Sequence, residues 1–355
     1  MHSLTRGNST TSLRRWAVVA GTTALACGVL TPPAWASFRP GGGNQGHTTT
    51  SSKRDGQSIE SRVTFSGSTR NPSDSSSPAV TPVGNWAPPA CWYEPISAQQ
   101  FSKEMEDGYK QVVDDPQQPN YAKEATAEYR DMYKDGKYKN YNLDKADEGN
   151  WWVSVQDPTR LNDPAAWTCS DLPSWVKNGD IAPVKNAISP EVLAELAYNR
   201  ILLPGTKVSL APGDTTKVNL STWAWLDKAR FKKVSVTASL NVAGLNIQAT
   251  TTAEPVSLKL EPGIADAETY PASGECAVSS DGSVGEPYAT GKADQDPPCG
   301  IKYLRSSGSG TFPLKATVTW RITWTGTGGA GGDLPDGTFG TTQDVTVQEI
   351  QAVNR

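Results

Sequence analysis

The stretch Leu314-Lys-Ala-Thr-Val-Thr-Trp-Arg-Ile-Thr-Trp324 decides the fold class of this chain. Its even-numbered positions are apolar and its odd-numbered positions are lysine, threonine or arginine, the period of two expected of a strand with one buried face. Similar alternation occurs in the shorter runs 234–242, 256–260 and 345–347. Strands with one apolar face each must bury those faces against one another, so residues 205–355 predict an all-β sandwich.

This C-terminal region also resembles a known class of domain. The similarity rests on Val256-Ser-Leu-Lys-Leu-Glu-Pro-Gly263, the loop from Cys276 to Cys299, Tyr303 and the tryptophan-rich strand just quoted. These residues are similar to a divergent PKD-type (polycystic-kidney-disease-type), immunoglobulin-like domain, and more specifically to secreted actinobacterial proteins of unknown function that end in one. The resemblance implies an extracellular adhesion or spacer module. The chain departs from the class at Glu261-Pro262-Gly263, which lacks the aromatic residue and the Asp-Gly of the usual turn.

Helical periodicity dominates the preceding region, residues 86–204. Ser97 starts a capping box ahead of one helix, tyrosines at steps of four mark a second over 121–133, and Ser189 is placed to cap a third. A short strand is expected at 151–155. We therefore expect an α+β multidomain fold, with an α-rich N-terminal domain followed by the immunoglobulin/PKD-like sandwich.

The first 36 residues have the organisation of a secretory signal peptide. Arg14-Arg15 precedes an apolar run over 17–30, and Ala34-Trp35-Ala36 fits the small-x-small cleavage rule. Lipidation at Cys27 and export by the twin-arginine route stay open as alternatives. By each of these routes the product lies outside the cytoplasm, and a secreted, extracellular protein is expected. No apolar run reaches the about 20 residues of a transmembrane helix, so no membrane span is expected.

Residues 37–85 are rich in Ser, Thr, Gly and Pro, a composition typical of a disordered linker. Removing the three arginines of the signal segment lowers the formal net charge of the chain from −4 to −7. An acidic protein is not attracted to phosphate backbones, so nucleic acid is not an expected partner.

Cysteine usage predicts two disulfides. Beyond Cys27 the chain holds Cys91, Cys169, Cys276 and Cys299, and an even number in an exported chain is typical of paired cysteines. Three pairings are open. We favour Cys91 with Cys169 and Cys276 with Cys299, because each pair then lies inside one expected domain. Close C-x-x-C spacing is absent, so no metal site is expected.

Histidine usage excludes most familiar catalysis. Of the two histidines, one lies in the signal segment, and His47 lies in the expected linker. A Ser-His-Asp or Cys-His arrangement needs a histidine on a rigid scaffold, which leaves carboxylate, lysine or tyrosine chemistry. The sequence Gly285-Glu-Pro-Tyr-Ala-Thr-Gly-Lys292 has the wrong spacing for a phosphate-binding loop and is interpreted as a polar loop. No cofactor is expected.

Tryptophan is the residue that invites a functional interpretation. Four of the 12 tryptophans are candidate binding residues: Trp151, Trp152, Trp223 and Trp225. The first two must point to opposite faces of a strand, whereas the other two share one face. Burial in the core is the competing interpretation, and it is favoured for Trp320 and Trp324 and also for Trp223 and Trp225. Of Trp151 and Trp152, one is expected to be exposed, which makes this pair the best candidate for an aromatic patch.

Taken together, the sequence predicts a secreted, non-catalytic binding, adhesion or spacer module whose partner is an extracellular protein or polysaccharide. Two alternatives stay open: a carboxylate-based glycoside hydrolase or carbohydrate-binding protein, and a subunit of a surface assembly. A concave pocket with two carboxyl groups about 5–9.5 Å apart would favour the hydrolase. A large exposed apolar patch would favour the assembly.

Overall fold

Strands dominate the computed structural model, which describes residues 62–69, 80–227, 231–242, 244–292 and 294–350. About 41% of the described residues are in strands and 19% in helices. The predicted α-rich N-terminal domain is therefore wrong, and the fold as a whole is β-rich. The expected signal peptide lies outside the described residues.

The larger of the two sheets that face each other has eight strands. Six of them lie side by side in the order β1 (Thr64–Gly67), β9 (Val234–Val242), β10 (Leu245–Glu261), β15 (Phe312–Gly326), β16 (Gly331–Gln348) and β2 (Thr81–Pro82). Two short strands extend the sheet, namely β12 (Glu275–Ala277) beside β10 and β7 (Thr215–Lys217) parallel to β16. The stretch that predicted the fold forms the centre of β15.

The smaller sheet has five strands. Four follow one another as β11 (Ala267–Tyr270), β14 (Gly300–Tyr303), β8 (Ser221–Leu226) and β13 (Val284–Gly285), and β6 (Ser209–Ala211) also pairs with β8. One hydrophobic cluster joins the two sheets, with Leu226 and Tyr303 from the smaller sheet and Val318 and Trp320 from the larger. This core confirms the predicted β-sandwich.

Alternation along β15 is as predicted. Every even-numbered position from 314 to 324 is buried, and Trp320 is fully enclosed. Lysine, threonine and arginine occupy the opposite face, where the side chains are exposed or partly exposed. A strand with one buried and one solvated face alternates apolar and polar residues, and this alternation allows it to be predicted from sequence.

Helices and a separate three-stranded sheet share the region 86–204. The helices are α1 (Ala98–Val113), α2 (Asn120–Lys134) and α3 (Pro190–Tyr198), and the strands are β3 (Cys91–Ile96), β4 (Gly149–Gln156) and β5 (Ser174–Lys177). Three short 3-10 helices cover Asn140–Lys145, Pro164–Trp167 and Thr327–Gly329. The Ser97 and Ser189 side chains accept hydrogen bonds from backbone N–H groups at 3.2 Å, so both predicted helix starts are confirmed.

Two features explain why the α-rich prediction failed. All six residues of β3 are buried, so the strand has no alternation to reveal it. The third helix, α3, does not pack with the other two but lies on the larger sheet, where Thr251 Oγ1 donates a hydrogen bond to the Ala194 carbonyl at 2.8 Å. Only α1 and α2 enclose a core of their own, built with β4 around Phe101, Tyr133 and Trp151.

Part of the expected linker, residues 37–85, belongs to the sandwich. β1 pairs with β9 at one edge of the larger sheet, and β2 pairs with β16 at the opposite edge. Unpaired edge strands are templates for association with other chains, and β1 and β2 cover β9 and part of β16 in this way. These residues are ordered because their backbone groups complete the ladder, a role that composition does not reveal. Residues 37–61 and 70–79 lie outside the described residues.

Both predicted disulfides are present. Cys91 joins Cys169 and ties β3 to the loop after the second 3-10 helix, and Cys276 joins Cys299 and closes the loop between β12 and β14. Within the described ranges, no helix has the length and apolar character needed to cross a bilayer.

Candidate functional site

Two tryptophans lie on the solvent side of the smaller sheet. In β8, the side chains of Thr222, Ala224 and Leu226 are buried towards the core, and the last two belong to the central hydrophobic cluster. Trp223 and Trp225 alternate with them and are absent from that cluster. The predicted sharing of one face is thus present, but the face is the outer one.

Small residues flank both indoles across the sheet. Ser209 and Gly285 stand opposite Trp225, whereas Ala211 and Gly300 stand opposite Trp223. With so little side-chain volume on either side, each indole has room to lie low over the neighbouring strands. Gly285 is required there, since its φ is +68° and a Cβ would come within 2.1 Å of a backbone oxygen of β8.

A loop after β13 covers one of the two indoles. The ring of Tyr288 meets the ring of Trp223 edge to face, with centroids 5.9 Å apart, and Lys292 Nζ lies 5.2 Å from the centroid of the same indole. Lys292 also forms an ion pair with Glu286. As a result Trp223 is only 3% exposed, while Trp225 stays partly exposed and Tyr288 is 40% exposed.

The rim of this surface is polar. Tyr270 of β11 stands opposite Gly300, which in turn stands opposite Trp223, so the two aromatic residues are in line across the sheet. Two residues further along β14, Lys302 forms an ion pair with Glu268. The hydrogen bond to Glu268 raises the pKa of Lys302, so this lysine stays charged at neutral pH. We call the surface formed by Trp223, Trp225, Tyr270 and Tyr288 the aromatic face.

The other two candidate tryptophans are structural. Trp151 is fully buried, stacks on Phe101 at 4.4 Å and donates its indole N–H to the Tyr141 carbonyl at 2.8 Å. Trp152 points to the opposite side of β4, as predicted, but packs against the central cluster and the residues around the first disulfide. Trp151 therefore offers no ring face to a ligand, whereas Trp152 stays partly exposed beside these contacts.

Acid–base chemistry has little support on the aromatic face. Its two acids, Glu268 and Glu286, are both paired with lysines. Carboxyl groups with a raised pKa lie elsewhere and on different helices: burial raises the pKa of Glu104 on α1, and burial together with Glu191 raises that of Glu195 on α3 to about 7. Within the described ranges, no three His, Cys, Asp or Glu side chains are grouped so as to hold a metal ion.

Comparison with known proteins adds no assignment: no family model, no curated protein and no solved structure matches this chain.

Sequence reasoning missed Tyr288 and Lys292. Both lie in the glycine-containing run that was interpreted as a polar loop, and nothing in the local pattern places that loop over β8. Its position follows from the pairing of β13 and β14 with β8 and from the disulfide between Cys276 and Cys299, which spans it. The sequence offers one signal only: Tyr288 and Lys292 lie between two cysteines, in the same predicted domain as the alternating pair of tryptophans.

Proposed function

We propose that this protein is a secreted, non-catalytic binding module that holds a polysaccharide on the aromatic face. The observation that carries the proposal is the placement of Trp223 and Trp225 side by side on the outer face of β8, away from the core. Packing in the core explains neither ring, because Trp223 is buried under the loop after β13 and Trp225 is partly exposed to solvent.

The chemistry of the face fits a sugar chain. A pyranose has apolar C–H faces that stack on an indole and a rim of hydroxyl groups that need hydrogen-bond partners. Around the indoles, Ser209, Lys302 and Glu268 offer both donors and acceptors. Sugars with equatorial substituents, such as β-linked glucose and N-acetylglucosamine, present the flattest faces and are the expected class.

The extracellular setting has separate support. Two disulfides are typical of an oxidising compartment, and the N-terminal segment has the features of a signal peptide. The resemblance to PKD-type domains adds the same expectation, because such domains are adhesion or spacer modules in extracellular proteins.

Retention on insoluble polysaccharide tests the proposal. The mature protein is passed over microcrystalline cellulose, chitin and peptidoglycan, together with Trp225→Ala and the control Trp167→Ala. Trp167 is 39% exposed and lies next to the other disulfide, so it matches the change in size and exposure at a remote place. We expect the Trp225 variant to bind at least about tenfold more weakly, which corresponds to about 1.4 kcal/mol, and the control to bind normally.

Equal retention of both variants, or no retention on any of the three polymers, would refute the proposal. The hydrolase and surface-assembly alternatives stay predictions. Release of soluble reducing sugar in the same assay would favour the hydrolase.

A further inference from the structure

The loop over Trp223 is a small, separate piece of structure. We call residues 286–292 the flap. Every residue from 286 to 291 is exposed, and the flap follows β13, which ends at Gly285. Its described backbone hydrogen bonding is local, with the Lys292 N–H donating to the Ala289 carbonyl at 3.2 Å.

Among the described residues, three side-chain contacts hold the flap in place. These are the edge-to-face contact from Tyr288, the cation–π contact from Lys292 and the ion pair between Lys292 and Glu286. Each is a kind of interaction that at exposed sites changes an equilibrium constant by at most about tenfold. Gly285 and Gly291 both have positive φ angles, so the backbone turns in the left-handed region just before the flap and again near its end.

The indole of Trp223, beneath the flap, is equivalent in its setting to the partly exposed indole of Trp225. Trp223 is two residues from Trp225 on the same face of β8, about 6.6 Å along the strand. Trp223 has small residues on both neighbouring strands, Ala211 and Gly300. Trp225 has the same kind of neighbours, Ser209 and Gly285. Removal of the flap would therefore double the length of the stacking surface and extend it towards Tyr270.

We propose that Trp223 is a second sugar-stacking subsite, closed by the flap and opened by a polysaccharide chain long enough to reach across both indoles. This inference rests on the proposed function. A short sugar occupies Trp225 alone and leaves the flap in place, whereas a longer chain displaces Tyr288 and Lys292 from the indole. Opening the flap offsets part of the affinity that a long chain gains from the second indole, so the flap weakens the binding of long chains and leaves that of short sugars unchanged.

Binding of sugars of increasing length tests the subsite. Cello- and chito-oligosaccharides of two to six units are titrated by calorimetry into the mature protein and into Tyr288→Ala/Lys292→Ala. The double variant is expected to bind the hexamer about three- to tenfold more tightly and the dimer unchanged. Adding Trp223→Ala to it should abolish the gain. The matched control is Tyr121→Ala/Lys315→Ala, which removes an exposed tyrosine and an exposed lysine far from β8.

A gain that survives Trp223→Ala, or a hexamer affinity that the double variant does not raise, would refute the subsite while leaving the Trp225 result, and with it the proposed function, intact.

Hydroxyl-radical footprinting tests the flap without any ligand. Oxidation of Trp223, mapped by mass spectrometry, should rise at least threefold in Tyr288→Ala/Lys292→Ala, while buried Trp320 and exposed Trp167 serve as unchanged references. An unchanged oxidation rate at Trp223 would mean that the flap is not what closes the subsite, even if the protein binds no sugar at all.

Discussion

Replacing Trp320 separates the contribution of its size from that of its polar atom. The side chain is fully buried between the sheets, near Phe231, and its indole N–H has no hydrogen-bond partner among the described residues. Trp320→Ala removes the whole ring and leaves a cavity, which costs about 3–5 kcal/mol. Trp320→Phe loses less volume and also removes the unpaired donor, whose burial costs about 1–3 kcal/mol. We therefore expect the phenylalanine variant to stay within about 1 kcal/mol of wild type.

Thermal and urea unfolding with the disulfides intact measure both changes. The alanine variant should melt roughly 6–20 °C lower, since 1 kcal/mol corresponds to about 2–4 °C in a domain of this size class. Thr319→Ala on the outer face is the control and should cost less than about 1 kcal/mol. A phenylalanine variant as unstable as the alanine variant would show that the indole N–H contributes a stabilising bond. A stable alanine variant would refute the burial of this face.

Three further predictions concern pH, the second disulfide and the site glycine. Burial and the neighbouring Glu191 raise the pKa of Glu195 to about 7, above its unfolded value, so this group stabilises the fold at low pH and that contribution is lost as the pH rises from about 4.5 through 7. In Glu195→Gln the melting temperature should therefore change less with pH over that range, and a pH profile like that of the wild type would contradict this. Replacing Cys276 and Cys299 with serine opens a loop that spans a sequence separation of 23 and should lower the free energy of unfolding by about 2–4 kcal/mol in urea titrations; an unchanged value would contradict this. Gly285→Ala forces a Cβ against β8 in a left-handed conformation, so it should destabilise the protein by about 1–3 kcal/mol and weaken polymer retention; a neutral effect would argue against the close approach of β13.

The sequence predicts those parts of the fold in which one face of an element meets water. β15 alternates over six buried positions because its outer face is solvated, and the serine caps of α1 and α3 mark their helices because capping is a local interaction. β3 escapes prediction because all of its residues are buried. α3 is predicted as a helix but misplaced, since six of its nine residues are buried and no polar face shows which partner it packs against.

The candidate site divides in the same way. That Trp223 and Trp225 share a face follows from their spacing on one strand, but which side of the sheet is solvated depends on where the other sheet packs. Coverage of Trp223 by Tyr288 depends on the register of β13 and β14 against β8, between residues more than 50 positions apart in the chain. No local pattern contains that information.

Pairing at the far edge of the larger sheet joins residues that are far apart in the sequence. Thr81 of β2 stands opposite Thr338 of β16, so this contact spans almost the whole described sequence. Contacts between distant residues form slowly, because a long loop must close before they are made. During synthesis, β2 has no partner until the last strand has emerged, and intermediates that lack β16 have exposed strand edges and are prone to aggregate. Completion of the fold therefore waits for β16, and a truncation before residue 338 should leave a protein that starts to fold but cannot finish.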